Sequence, residues 1–214
     1  MSIGIIGAGA LGSSVARALA KAGVSAVISN SRGPASLAGL VEELGPTIKA
    51  VTTTEAAKAD IVFISVRWVD LKKVLGALPA WNNRIVVDTT NAVEFIDPNS
   101  PEAKDPSNPL GVYGIKPVDL GDSYSSKFVR DLVPGARVVK AFNHLPSALL
   151  TDPSVPSGQR VLFYSGDDAD AKAKVRALIE KTGFFPADLG SLEVGGRLAA
   201  PPFGVLGGAN FVKV

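Results

Sequence analysis

Six residues near the start of the chain leave little freedom in what can be built around them. Gly7-Ala8-Gly9-Ala10-Leu11-Gly12 fits G-x-G-x-x-G. An apolar run, Ile3 to Ile6, precedes it, and a helical pattern with Val15, Ala16, Leu19 and Ala20 on one face follows. A second apolar run, Val24 to Ile28, then leads into Ser29-Asn30-Ser31-Arg32. Strand, glycine turn, helix and strand within about thirty residues form the dinucleotide-binding fingerprint in its required context. Gly7 lets the chain turn out of the strand, Gly9 lets a pyrophosphate approach the backbone, and Gly12 lets helix and strand pack closely. The helix start points free N–H groups and the positive end of its dipole at the phosphates. Ala8, Ala10 and Leu11 belong to the same expected contact.

The end of the second strand selects the cofactor. A chain built for NAD places an acid there for the ribose 2′-hydroxyl. This chain has Asn30-Ser31-Arg32 and no acid before Glu42. Arg32 can pair with a 2′-phosphate through its planar guanidinium, and Asn30 and Ser31 can donate to it. The residues therefore point to NADP. The alternative is an arginine solvated in a polar loop.

Composition removes several function classes. With 22 Lys and Arg against 20 Asp and Glu, the net charge is +2, which does not imply non-specific nucleic-acid binding. The chain has no cysteine, which excludes disulfides, thiol nucleophiles and thiolate metal sites. A single histidine, His144, argues against a zinc site, and no metal is expected. Apolar runs such as Ile61 to Ile64 fall far short of a membrane span. With no targeting segment recognisable either, the expectation is a cytoplasmic protein without membrane contact.

Strand and helix patterns alternate along the chain, which predicts an α/β fold: a Rossmann-type, doubly wound parallel sheet with a small C-terminal α/β extension. The expected division is a dinucleotide-binding domain over 1–146 and a small segment, 147–214, completing the fold on the substrate and dimer side. Ligands in such sheets lie outside the carboxyl ends of the strands. The loops there include Ser65 to Trp68, with Val66 and Arg67, and Thr89 to Ala92, with Asn91. A further strand end opens at Phe142-Asn143-His144-Leu145-Pro146. Residues 97–122 interrupt the rhythm with Pro98, Pro101, Pro106, Pro109 and Pro117. They are expected to be irregular, as a lid, a mobile linker or an exposed loop. A strand is expected over Val161 to Tyr164, a helix over Ala169 to Lys181 and a strand over Phe184 to Leu189. The tail Gly195 to Gly204, rich in glycine and proline, is given no element.

Taken together, GIIGAGALG, NSR, SVRW, TTNA, LVPGARVVKAFNHLP, SGDD and GGRL resemble the coenzyme F-420-dependent NADP oxidoreductases. Relatives of that family include small bacterial reductases and the cytoplasmic domains of the STEAP metalloreductases. The resemblance implies NADP in the crevice and hydride exchange with a flavin or deazaflavin as cosubstrate. It places Gly7 to Gly12 at the pyrophosphate, Ser31 and Arg32 at the 2′-phosphate, and Val66, Arg67 and Asn91 along the cofactor. Asn143 and His144 fall where the second ring would face the nicotinamide. In the deazaflavin enzymes the histidine stands one position earlier, where this chain has Asn143. The family also implies a homodimer, to which the apolar tail Asn210 to Val214 would contribute.

Hydride transfer between stacked rings needs alignment and exclusion of water more than acid–base groups. Without an evident catalytic triad the chain reads as an oxidoreductase rather than a hydrolase, and no residue is assigned as catalytic. His144 could donate to a ring carbonyl or relay a proton, or be a hydrogen-bonded loop histidine. Trp68 and Trp81 read as packing residues, and Asp167-Asp168 as a helix start. Two other functions fit the same residues: an NADP-dependent dehydrogenase of a small carbonyl or imine, and a non-enzymatic NADP sensor.

Overall fold

Short apolar segments with every residue buried are strands covered on both faces, and the centre of this fold is built from them. The computed structural model describes every residue except Pro109 and Phe203. Strands β1 (Ile3–Ile6), β2 (Ala26–Ser29), β3 (Ile48–Ala50), β4 (Ile61–Ile64), β5 (Ile85–Asp88) and β8 (Arg137–Ala141) run parallel in the order β3-β2-β1-β4-β5-β8. The order reverses between β1 and β4, and the crevice opens at that switch point.

Alternate residues along each strand feed opposite layers. Ile61 and Phe63 join a core with Ile5, Val15, Leu19 and Val87. Val62 and Ile64 join another with Val86, Leu71, Trp68 and Trp81. Helix α1 (Ala10–Lys21) covers the first layer, as does α6 (Ala169–Lys181). The second layer packs under α4 (Leu71–Gly76) and α5 (Ser125–Leu132). Both tryptophans are core residues, as expected, with Trp68 tilted against Phe128 at 5.0 Å. Short helices α2 (Ala38–Leu44) and α3 (Thr53–Ala56) link the outer strands. Thr52 and Glu55 form a reciprocal capping box at the start of α3.

Three expectations need correction. The sheet is mainly, not wholly, parallel. Strand β10 (Gly158–Gly166) runs antiparallel to β8, and β11 (Phe185–Asp188) then lies parallel to β10. A parallel neighbour needs a crossover element. The link from β8 to β10 holds only a 3₁₀ turn, Ser147–Thr151, and the two-residue strand β9 (Ser154–Val155), so the chain returns beside itself. Strand β10 is also longer than Val161 to Tyr164, because β9 and β12 (Val212–Lys213) pair with its first residues.

Residues 97–122 are organised rather than irregular. They hang from a hairpin of β6 (Val93–Phe95) and β7 (Ile115–Pro117), with 3₁₀ turns at Glu102–Lys104 and Gly111–Tyr113. Gly111 packs against this turn: a Cβ there would lie 2.1 Å from the Ala103 carbonyl oxygen. Pro117 ends an edge strand, which tolerates it. Pro109 lies outside the described residues.

The start of the glycine-rich tail is a helix, α7 (Leu192–Leu198), capped by Ser191. Two glycines lower its intrinsic propensity, and packing overrides this. A Cβ on Gly195 would sit 2.2 Å from that of Ser165, so only glycine lets α7 lie against β10. Asp168 caps α6 through Ala171 N–H at 2.7 Å, as expected, while Asp167 instead accepts from Leu192 N–H at 2.9 Å. Among the described residues no helix is long and apolar enough to cross a membrane.

Candidate functional site

The loops after β1, β2 and β4 enclose a hollow of about 420 Å³. Gly7, Ala8 and Gly9 form its floor, Asn30, Ser31 and Arg32 its far end, and Ser65, Val66 and Arg67 one wall. Gly7 has φ +105°, and a Cβ there would lie 2.2 Å from the Ser65 carbonyl oxygen. A Cβ on Gly12 would lie 2.0 Å from the Gly7 carbonyl oxygen, so this glycine lets α1 approach β1. Gly9 differs: nothing stands within 4 Å of its would-be Cβ. Its lack of a side chain serves no packing need and leaves the backbone open to a ligand. Gly9 is also the N-cap of α1, with no side-chain cap and no acid in the first turn. The helix start therefore presents unpaired N–H groups, as a pyrophosphate site requires.

At the far end Asn30 holds the loop. Its Oδ1 accepts from Arg32 N–H at 3.0 Å and from the Ser36 hydroxyl at 3.1 Å. Ser31 and Arg32 are left exposed beside the hollow. Thr53 and Lys73 also line it, and Lys73 adds a third cation, beside Arg32 and Arg67, that no motif in the sequence marks. Its only sequence signal was the helical pattern over Val69 to Leu78. Arg67 is tied to Asp70 at 2.8 Å.

A second hollow, of about 350 Å³, shares Gly9, Ser65, Val66 and Arg67 with the first and continues to Thr89, Thr90, Asn91 and Asn143. Ala10 and Leu11 line it too. Asn91 and Asn143 clasp each other: Asn91 Nδ2 donates to the Asn143 carbonyl and Asn143 Nδ2 to Asn91 Oδ1, both at 3.0 Å. Asn143 Nδ2 also reaches the Ala199 carbonyl at 2.9 Å, tying the end of α7 to the strand ends. Phe142, just before, takes φ +62° while wholly buried, edge-on to Phe63 at 5.4 Å.

Beneath this clasp lies a charged pair that the sequence analysis did not assemble. Lys140 and Asp88 are both buried, with Nζ to Oδ2 at 3.0 Å. Lys140 Nζ also donates to the Thr90 carbonyl. Asp88 accepts from Thr90 N–H at 2.9 Å, from the Thr90 hydroxyl at 2.8 Å and from the Ser126 hydroxyl at 3.1 Å. Burial pushes the Lys140 ammonium down from its ordinary value, and Asp88 opposes that shift. Asp88, Lys140 and Thr90 thus fix the loop that carries Asn91.

His144 is not in the crevice, which corrects the expectation that it stands beside Asn143 on the substrate side. Successive residues at a strand end point to opposite faces. Asn143 lines the hollow, while the His144 ring is buried against Phe163 with centroids 4.6 Å apart. Among the described residues no side chain pairs with either ring nitrogen. Burial pushes its pKa down to about 4, opposed only by the Val161 backbone, so the ring is neutral near pH 7. Among the described residues no group of His, Asp or Glu is placed to hold a metal ion.

Known proteins resemble this chain in sequence and fold. The family described as NADP oxidoreductase, coenzyme F420-dependent, matches residues 2–92, which carry the glycine turn, Arg32, the Val66-Arg67 loop and Asn91. A hypothetical protein from Sinorhizobium meliloti is 40% identical, with TM-score 0.86, over 100% of this chain and 97% of its own. Metalloreductase STEAP3 of Rattus norvegicus is 27% identical over 206 residues, 95% of this chain; the chain spans 37% of that protein's length. A reductive aminase from Aspergillus terreus, solved with NADPH and ethyl levulinate, shares the fold at 17% identity and TM-score 0.59, over 91% of this chain and 56% of its own. Residues 2–92 thus form a domain matching that family of NADP-dependent oxidoreductases.

Proposed function

We propose that the crevice binds NADPH along the strand ends and that the chain passes its hydride to a flavin or deazaflavin ring. The observation that carries this reading is the run of two joined hollows. They link Ser31 and Arg32 at one end, through Gly9, to Asn91 and Asn143 at the other. Gly7 to Gly12 receive the pyrophosphate, with the α1 N–H groups supplying the positive end of a dipole. Arg32 and Ser31 take the 2′-phosphate, with Lys73 as a further cation in reach of the same hollow. Val66 and Arg67 cover the middle of the cofactor. The bound nicotinamide supplies the hydride.

Asn91 and Asn143, fixed by each other and by the Lys140–Asp88 pair, hold the crevice wall in one geometry. Such a wall favours aligned approach of two rings and keeps water out. Neither step needs an acid or base from the chain, which is consistent with a neutral, buried His144. We assign NADPH binding to residues 1–146, and the substrate side and the contacts of a cytoplasmic homodimer to 147–214. Light scattering that reports a monomer would overturn the last assignment.

The test is to mix the protein with NADPH and FMN, FAD or the deazaflavin and follow nicotinamide absorbance. Steady oxidation with at least one acceptor is expected. No turnover with all three would sink the reading. Turnover with a panel of keto or imino acids would replace it with a dehydrogenase.

A further inference from the structure

Behind the Asn91 loop lies a separate cavity of about 360 Å³, between the start of α5 and the end of α7. We propose that it is an anion subsite for a phosphate or carboxylate carried by the electron acceptor, an inference that rests on the reading above. Three features meet there. The first is the start of α5, which has neither a side-chain cap nor an acidic residue in its first turn. A helix start of this kind attracts negative charge.

The second is Ser125, the first residue of α5. It lines the cavity and is only 4% exposed, and its hydroxyl has no hydrogen-bond partner among the described residues. A buried hydroxyl without a partner costs about 1–3 kcal/mol. A group kept at that cost is explained by a ligand that pairs with it. The third is Arg197 of α7, whose guanidinium lies over the Tyr124 ring at 5.2 Å, donates to the Asp122 carbonyl at 2.6 Å and pairs with Glu193 of its own helix at 3.3 Å. These contacts hold its charge at the cavity wall. Gly196 keeps the wall close, since a Cβ there would lie 3.3 Å from Tyr124.

Asp119 is the other charged residue on the wall, and its Oδ1 is occupied by Gly121 N–H at 2.8 Å. Apart from Ser123, the remaining lining, including Leu120 and Pro201, is apolar and suits the body of a flat molecule. The cavity is close to the nicotinamide end: Ala92 lines it one residue beyond Asn91, and Ala199, bonded to Asn143, adjoins Ala200 on its wall. An acceptor could span both, with its ring in the crevice and its acidic group here.

The experiment is calorimetric titration of NADP-saturated protein, so that the cofactor's own phosphate sites are filled. The probes are FMN, riboflavin and inorganic phosphate. FMN should bind about tenfold or more tightly than riboflavin, as a charge-assisted contact predicts. Ser125→Ala and Arg197→Gln should each narrow that gap and leave riboflavin affinity unchanged. Ser125→Ala should also unfold at the same temperature as the parent or higher, because it removes an unpaired hydroxyl. Equal binding of FMN and riboflavin, or a gap that survives both variants, would overturn the proposal. If neither flavin binds, the flavin reading fails by itself. The subsite then stands only if inorganic phosphate binds and both variants weaken it, and falls if phosphate does not bind.

Discussion

The two ends of the crevice are made in opposite ways. The Arg32 end is backbone: a glycine turn, an uncapped helix start and exposed side chains that wait for a ligand. The Asn91 end is side chain: a buried ion pair, an asparagine clasp and a bent strand end that bond mainly to one another. The first end answers to charge in its ligand. The second is saturated with internal bonds, so it can offer a ring only shape and dryness. That division fits a site that grips a dinucleotide by its phosphates and leaves its reactive end ungripped and aligned.

Removing the cation under the clasp should separate the two ends most. Lys140→Met leaves Asp88 buried and unpaired, a loss expected to reach about 3–5 kcal/mol in denaturant unfolding. Adding Asp88→Asn should recover most of it. Parent-like stability in the single variant would mean that the nicotinamide end does not depend on its ion pair.

Arg32→Ala should act at the other end and on binding alone. It should weaken NADPH by about 2 kcal/mol, roughly thirtyfold, with little effect on NADH and none on unfolding. Equal loss for both cofactors would refute the 2′-phosphate role.

A third test uses His144. Its folded pKa of about 4 lies below the 6.5 of the free side chain, so the unfolded chain binds the extra proton. Stability should therefore fall as the pH drops, by about 2 kcal/mol between pH 7 and 5. The acids held below their ordinary range, Glu43, Glu55 and Asp60 among them, lose their contribution mainly below that window. His144→Phe should flatten the slope, and an unchanged slope would mean the ring is not the proton acceptor.

The smallest effect should come from Gly9→Ala. No atom opposes the new methyl group, so stability should stay within about 0.5 kcal/mol, while NADPH affinity drops about tenfold as the pyrophosphate loses its approach. A large loss of stability would show that Gly9 serves the fold after all.

These contrasts also explain what could be read from the chain beforehand. The Arg32 end is contiguous: Gly7 to Arg32 is one strand–turn–helix–strand unit, and each residue type announces its task. Strands β4 and β5 are equally legible, because a parallel sheet buries both faces and leaves apolar runs such as Ile61 to Ile64 and Ile85 to Val87. The Asn91 end depends on partners 52 residues away, Asp88 with Lys140 and Asn91 with Asn143. The signal that was available, a lysine within Val138-Val139-Lys140-Ala141, marks a buried charge but does not name its partner. Adjacency to Asn143 suggests a shared facing for His144, but consecutive side chains diverge. Helix α7 escaped notice because Gly195 and Gly196 look like a loop until β10 is set against them.

Phe142 shows how a strained backbone can be held by the packing of its own side chain. Its backbone occupies a left-handed conformation that costs an ordinary residue about 1–2 kcal/mol. Glycine would relieve that cost, but deleting the ring from its contact with Phe63 would forfeit about 3–5 kcal/mol. Replacing Phe142 with glycine should therefore destabilise the fold on balance. The bend that turns Asn143 toward the crevice is thus held in place by the ring packed behind it.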